Sequence, residues 1–182
     1  MENPRIRAIL LFALVLAFGV LLFGGYLMNR EKPPIPKEAA TADGKVLFTA
    51  KDIARGQAYF YSRGGQHIGT IWGHGAYLAP DWSADYLHRA GLFLAARHLG
   101  RSAQVAAGFT QADLDALDAP ERARLTALVT GEIKANRYDP SSGRLTMTPQ
   151  QAEAHEALVA YYTDLFRNGN ERMALQPGIV RT

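Results

Sequence analysis

Among the side chains able to do chemistry, the histidines come first. His67, His74 and His88 fall within one stretch, but their spacing matches no helical ligand pair, and no cysteine is present to complete a metal site. Histidines scattered in this way are more often hydrogen-bonded structural groups than ligands; His98 and His155, on helical stretches, read as packing or surface residues. The lack of cysteine throughout excludes disulfides, thiol nucleophiles and thioether-linked haem, which needs a C-x-x-C-H run. Gly64-Gly65-x-x-x-Gly69 lacks the Gly-Lys-Ser ending of a phosphate loop and follows a helix rather than a strand. Asp81 and Asp85 could be taken for a carboxylate pair, yet Asp81, just ahead of Ser83, is better explained by a helix N-terminus. No Ser-His-Asp arrangement has local support.

The elements that must position these residues are mostly helical. Thr49, with Asp52 three places on, caps a helix that carries Ile53, Gln57, Tyr59 and Phe60 and ends near Gly64-Gly65. Gly65, Gly69, Gly73, Gly75 and Pro80 then argue against regular helix up to Trp82 and allow close backbone approach. Ser83 caps the next helix, with Leu87, Ala90, Leu94 and Ala95 on its apolar face and Gly100 as its stop. Thr110 opens a short turn, and Asp118 with Pro120 opens a helix through Leu125, Leu128, Val129 and Ile133. Asp139-Pro140-Ser141-Ser142-Gly143 is a turn into an extended piece, 144–147; Val46-Leu47-Phe48 is another such piece. Thr148-Pro149-Gln150-Gln151 is a capping box, and its helix places Ala152, His155, Val159, Tyr162 and Leu165 or Phe166 on one face. From 167 to 182 the chain reads as an irregular tail. The expected soluble part is a small, mainly α domain over residues 46–166.

Ahead of it, residues 8–28 carry no charge and no histidine. At ~1.5 Å per residue they reach about 31 Å, the thickness of a bilayer core. This is longer than the apolar core of a cleaved signal peptide, so a retained transmembrane helix is the expectation. Arg5 and Arg7, in the short flank 1–7, nearly balance Arg30 and Lys32 on the other side. The short flank and the long polar remainder place the N-terminus inside and the domain outside. Residues 29–45, with Pro33, Pro34 and Pro36, read as a semi-rigid linker. A net charge of +3 over 182 residues, without any basic cluster, argues against a nucleic-acid partner.

The stretch 64–89, GGQHIGTIWGHGAYLAPDWSADYLHR, carries a resemblance to a known family. Its core, Gly73-x-Gly75-Ala76-Tyr77-x-Ala79-Pro80-Asp81, resembles the segment that follows the haem-attachment motif in the cytochrome c subunit of nitric oxide reductases. Ile71-Trp72-Gly73-His74-Gly75 and Trp82-x-Ala84-Asp85-x-Leu87-His88 extend the resemblance to the fused, quinol-dependent form. The helix ending Tyr161-Tyr162-x-x-Leu165-Phe166 is similar to the one that precedes the second membrane helix there.

The resemblance implies a cytochrome c-like fold without haem. The two cysteine positions fall on Gly65 and Ile68, and the axial histidine position falls on Gly69. It also implies reduction of nitric oxide to nitrous oxide at a b-type haem and a neighbouring non-haem iron. Those metals are held by a multi-helix catalytic portion that takes electrons from quinol, and none of them belongs to this chain. Further implications are a calcium ion held through backbone oxygens of Gly75 and Tyr77, and an extracytoplasmic domain on the bacterial inner membrane. Trp72, His74, Tyr77, Asp81 and Trp82 are the candidates for the surface that meets the catalytic portion. For Trp72, Tyr77 and Trp82 a second reading stands beside it, in which they pack the core where haem once sat.

Three functions are consistent with these readings. The leading one is a scaffold and docking segment of such a reductase. The others are a stand-alone membrane-anchored interaction domain derived from that family, and a small enzyme in its own right, for which no catalytic constellation is visible.

Overall fold

The computed structural model describes residues 4–71, 73, 80–101, 103–105 and 108–178. The chain divides into two units, Met1–Ile35 and Pro36–Thr182, and is mainly α. The first unit is one helix, α1, Pro4–Arg30, with no buried residue and with the length and apolar composition of a membrane span. It extends beyond the uncharged stretch 8–28 at both ends. Proline is favoured at a first helical position, and nothing breaks the helix until Pro33 and Pro34 deny helical geometry to the residues before them.

The second unit begins with a correction to the expected linker. Residues 38–41 form a strand, β1 (Glu38–Thr41), at the middle of a four-stranded sheet. Its partners are β2 (Val46–Thr49), antiparallel through the turn at Gly44, and β4 (Arg144–Met147), parallel and joined by Arg144 Nε to Glu38 Oε1 at 2.7 Å. The last strand, β3 (Tyr138–Asp139), pairs antiparallel with β4, giving the order β2-β1-β4-β3. Glu-Ala-Ala-Thr has little intrinsic strand preference. What makes it a strand is a partner about a hundred residues away, together with Ala39 and Ala40, which are fully buried and small enough to let α6 approach β1.

The helices follow their caps. The helix α2 (Ala50–Ser62) starts on the Thr49–Asp52 box, α4 (Gln111–Asp115) on a Thr110–Asp113 box, α5 (Ala119–Lys134) on Asp118, and α6 (Pro149–Asn168) on the Thr148–Gln151 box. The remaining helix, α3 (Trp82–His98), starts one residue before the expected Ser83 cap. Its cap is Asp81, whose Oδ1 accepts from the Ala84 N–H at 2.8 Å. Asp139 caps the β3–β4 turn by accepting from Ser141 and Ser142, and these hydrogen bonds, Ser142 first, hold its carboxyl down at about 2.

The core lies where α3 packs on α5 and α6, with Leu94, Leu125 and Leu158 wholly enclosed. Leu87, Leu128, Ile133 and Val159, expected on buried faces, are exposed. Phe93 on α3 and Ala154 and Leu158 on α6 are buried instead, because each helix divides its contacts between two neighbours and its buried stripe turns accordingly.

The expected irregular tail is also corrected. After Gly169, Asn170 and Leu175 exchange backbone hydrogen bonds of 2.9 Å around a short 3-10 turn, Glu171–Met173, and the Gly178 N–H returns to the Arg167 carbonyl at 2.8 Å. Leu175 thereby becomes core, at 4% exposure. Leu175→Ala is expected to lower the unfolding free energy by about 2–4 kcal/mol, the range of buried leucine truncations. The check is urea denaturation of the full chain in detergent; a change below about 0.5 kcal/mol would place the tail outside the core.

Candidate functional site

The segment singled out by its glycines runs from the end of α2 to the start of α3. Gly64, with φ of 66°, takes the left-handed geometry that lets the chain leave α2 and enter a one-turn 3-10 helix, Gly65–His67. The backbone then closes a neck. The Thr70 N–H donates to the Pro80 carbonyl at 2.9 Å, and the Trp82 N–H donates to the Thr70 carbonyl at 2.8 Å.

Asp81 completes this neck from its side chain. Its Oδ2 accepts from Thr70 Oγ1 at 2.9 Å and from the Gly73 N–H, while Oδ1 caps α3. The Ala84 N–H, against the opposing effect of burial, and then Thr70 and Gly73 hold the Asp81 carboxyl below its ordinary range. The residue expected at a partner interface is therefore the clamp of its own loop. Of the other interface and calcium candidates, Trp72, His74, Gly75 and Tyr77 lie outside the described residues.

Behind the neck is an aromatic cluster. Trp82 is 8% exposed and stands edge-on to Phe166 and Tyr162, at 5.1 and 6.3 Å between ring centres. Leu165 and Leu175 are buried with it, and Phe60, Ile68 and Met173 pack around it. Gly65 and Gly69 sit directly against these rings. A Cβ on Gly65 would lie 2.6 Å from Phe60 Cγ and closer still to two other ring atoms; one on Gly69 would lie 2.7 Å from Trp82 Cδ1 and closer still to Nε1 and Cε2. Neither position admits a side chain while the rings stay in place.

Polar groups border the cluster. Asp85 Oδ2 accepts from Arg89 Nε and from Tyr162 Oη, both at 2.8 Å, and the Arg89 guanidinium lies 4.2 Å from the centre of the Tyr161 ring. Burial, reinforced by the bond to Asp85, pushes the Tyr162 hydroxyl above its ordinary value, so it remains a donor. Asp81 and Asp85 thus have separate partner sets and do not act as a carboxylate pair. The sequence marks Phe60 and Tyr161 only as members of helices and gives Arg89 no role, although the Asp85–Arg89 spacing of four on a helix was a readable signal.

The histidines are dispersed. His67 is exposed beside Gly64, His88 is exposed on α3, and His98 Nε2 meets Glu132 Oε2 at 3.0 Å. His155 lies under the Phe48 ring, at 5.1 Å, with Nδ1 3.3 Å from Tyr86 Oη. Among the described residues no group of three or more His, Cys, Asp or Glu is arranged to hold a metal ion.

On the outside of the cluster, Ile71, Trp82, Ser83, Tyr86, Leu87, Tyr162 and Phe166 line an open, almost wholly apolar groove. Ile71 and Leu87, at 40% and 52% exposure, form its uncovered part.

Two measurements check this arrangement. Tyr162→Phe, which removes one of the two donors to Asp85, is expected to cost about 0.5–1.5 kcal/mol in urea denaturation. Burial pulls the His155 pKa below 6.5. As pH falls below about 6.5 the unfolded chain takes up a proton that folded His155 refuses, so stability falls until the lower folded pKa is reached. Urea midpoints between pH 5 and 7 should show this fall in the native chain and a weaker one in His155→Phe. Equal slopes would remove His155 as the cause.

No curated protein matches the chain. Residues 36–182 match the family described as the cytochrome c-like domain of the nitric oxide reductase NorB, over the whole sheet, the aromatic cluster and the folded-back tail. With that match covering most of its length, the chain belongs to the NorB nitric oxide reductase family.

Proposed function

We propose that this chain is the N-terminal scaffold of a quinol-dependent nitric oxide reductase. In this reading α1 anchors it in the bacterial inner membrane, and its haem-less domain, on the extracytoplasmic side, docks on and shields the multi-helix catalytic portion. That portion holds the b-type haems and the non-haem iron, reduces nitric oxide to nitrous oxide and draws its electrons from quinol.

The observation that carries the reading is the state of segment 65–69. A c-type haem needs two thioether sulfurs and an axial ligand; by the family resemblance those positions fall on Gly65, Ile68 and Gly69, and the chain has no cysteine. The space beside the two glycines is taken by Phe60 and Trp82. The residues present do not fit the group, so no electron path is routed through this domain. What remains is a neck closed by Thr70 and Asp81, and an apolar groove of the kind that marks an interaction site. A calcium ion held by Gly75 and Tyr77 backbone oxygens at the junction, with ligands from the catalytic portion, belongs to the same proposal.

The test is co-expression of the tagged full chain with a multi-helix catalytic portion of the same family in bacterial membranes. The expected result is co-purification, quinol-driven nitric oxide consumption by the complex only, and no c-type haem spectrum from the chain alone. Nitric oxide consumption by the chain alone would sink the reading. So would failure to co-purify, which would favour a stand-alone interaction domain.

A further inference from the structure

Every side chain at residues 65 and 69 has to share space with a ring that is itself held in place. Trp82 cannot simply swing aside. Its backbone N–H is fixed to the Thr70 carbonyl at 2.8 Å, the preceding residue is the Asp81 clamp, and its ring is wedged edge-on between Tyr162 and Phe166. The indole Nε1, the atom nearest a Cβ on Gly69, is buried with no hydrogen-bond partner among the described residues. Burying an unpaired donor is unfavourable. A ring kept there despite it is kept for its volume. Phe60 bears the same relation to Gly65, which is itself buried.

We infer that Gly65 with Phe60 and Gly69 with Trp82 form two interlocked size pairs, so that the fold excludes any side chain at 65 and 69 unless the facing ring is reduced. Resting on the haem-less reading above, the consequence is that loss of haem ligands here is a packed state and not only a missing set of cysteines. Restoring ligand residues one position at a time is blocked, because each carries a Cβ into an occupied volume. Ile68, which packs beside the cluster without such a conflict, is outside the interlock.

Double-mutant cycles on the full chain in detergent, read as thermal midpoints, test this. Gly69→Ala and Gly65→Ala are each expected to lower the midpoint by about 5 °C or more, given the usual sensitivity of domains of this size. The same changes should cost less than half as much in the Trp82→Leu background, which lacks Nε1 and Cε2, and in the Phe60→Ala background, respectively. Gly56→Ala, where a Cβ meets nothing within 4 Å, is the control and should not lower it. If Gly69→Ala does not accumulate, regained yield on adding Trp82→Leu is the same coupling seen in another way. Additive midpoints, or no regained yield, overturn the interlock. The cycles report packing alone, so failure of the domain to bind a catalytic portion would overturn the proposed function and leave these results standing.

Discussion

A run of glycines has more conformational freedom to lose than any other segment, so a glycine-rich loop holds one shape only if other groups impose it. At the neck of the loop, among the described residues, one aspartate imposes it. Asp81 ties Thr70 and Gly73 on one side of the loop to the first turn of α3 on the other, and the adjoining backbone bonds between Thr70, Pro80 and Trp82 close the neck. A carboxylate suits the task because it accepts several hydrogen bonds at once and is favoured at a helix N-terminus. That closure sets the entry of α3 and therefore the position of Trp82.

Once Trp82 is placed, the packing around it follows. Its ring gathers α6, the folded-back tail and the end of α2 into a single cluster, with Leu165 and Leu175 buried and Phe60, Ile68 and Phe166 against it. The flanking Asp85–Arg89–Tyr162 network satisfies the charged and hydroxyl groups that would otherwise be costly beside an apolar surface. The result is a core filled by rings on one side and an exposed apolar groove on the other.

Small residues carry unusual weight in this architecture. Ala39 and Ala40 let α6 approach the central strand, and Gly65 and Gly69 let two aromatic rings approach the backbone. In each case the residue matters through the atoms it lacks, and its effect depends on a neighbour distant in sequence. Such positions look featureless when the chain is read from end to end.

The helices were legible because their signals are local. Thr49–Asp52, Asp118–Pro120 and Thr148–Gln151 satisfy orphan backbone groups within one turn, and an uncharged stretch long enough to cross a bilayer needs no other part of the chain to declare itself. The motif around 64–89 was legible too, as a pattern of residue types. Only the tertiary structure decided that Glu38–Thr41 is a strand, that Leu175 is core while Leu87 and Val159 are not, and that Asp81 clamps its own loop. It alone set Phe60 over Gly65 and Trp82 over Gly69. Strand pairing across a hundred residues and the filling of a shared volume are properties of pairs, and neither member of a pair carries the information alone.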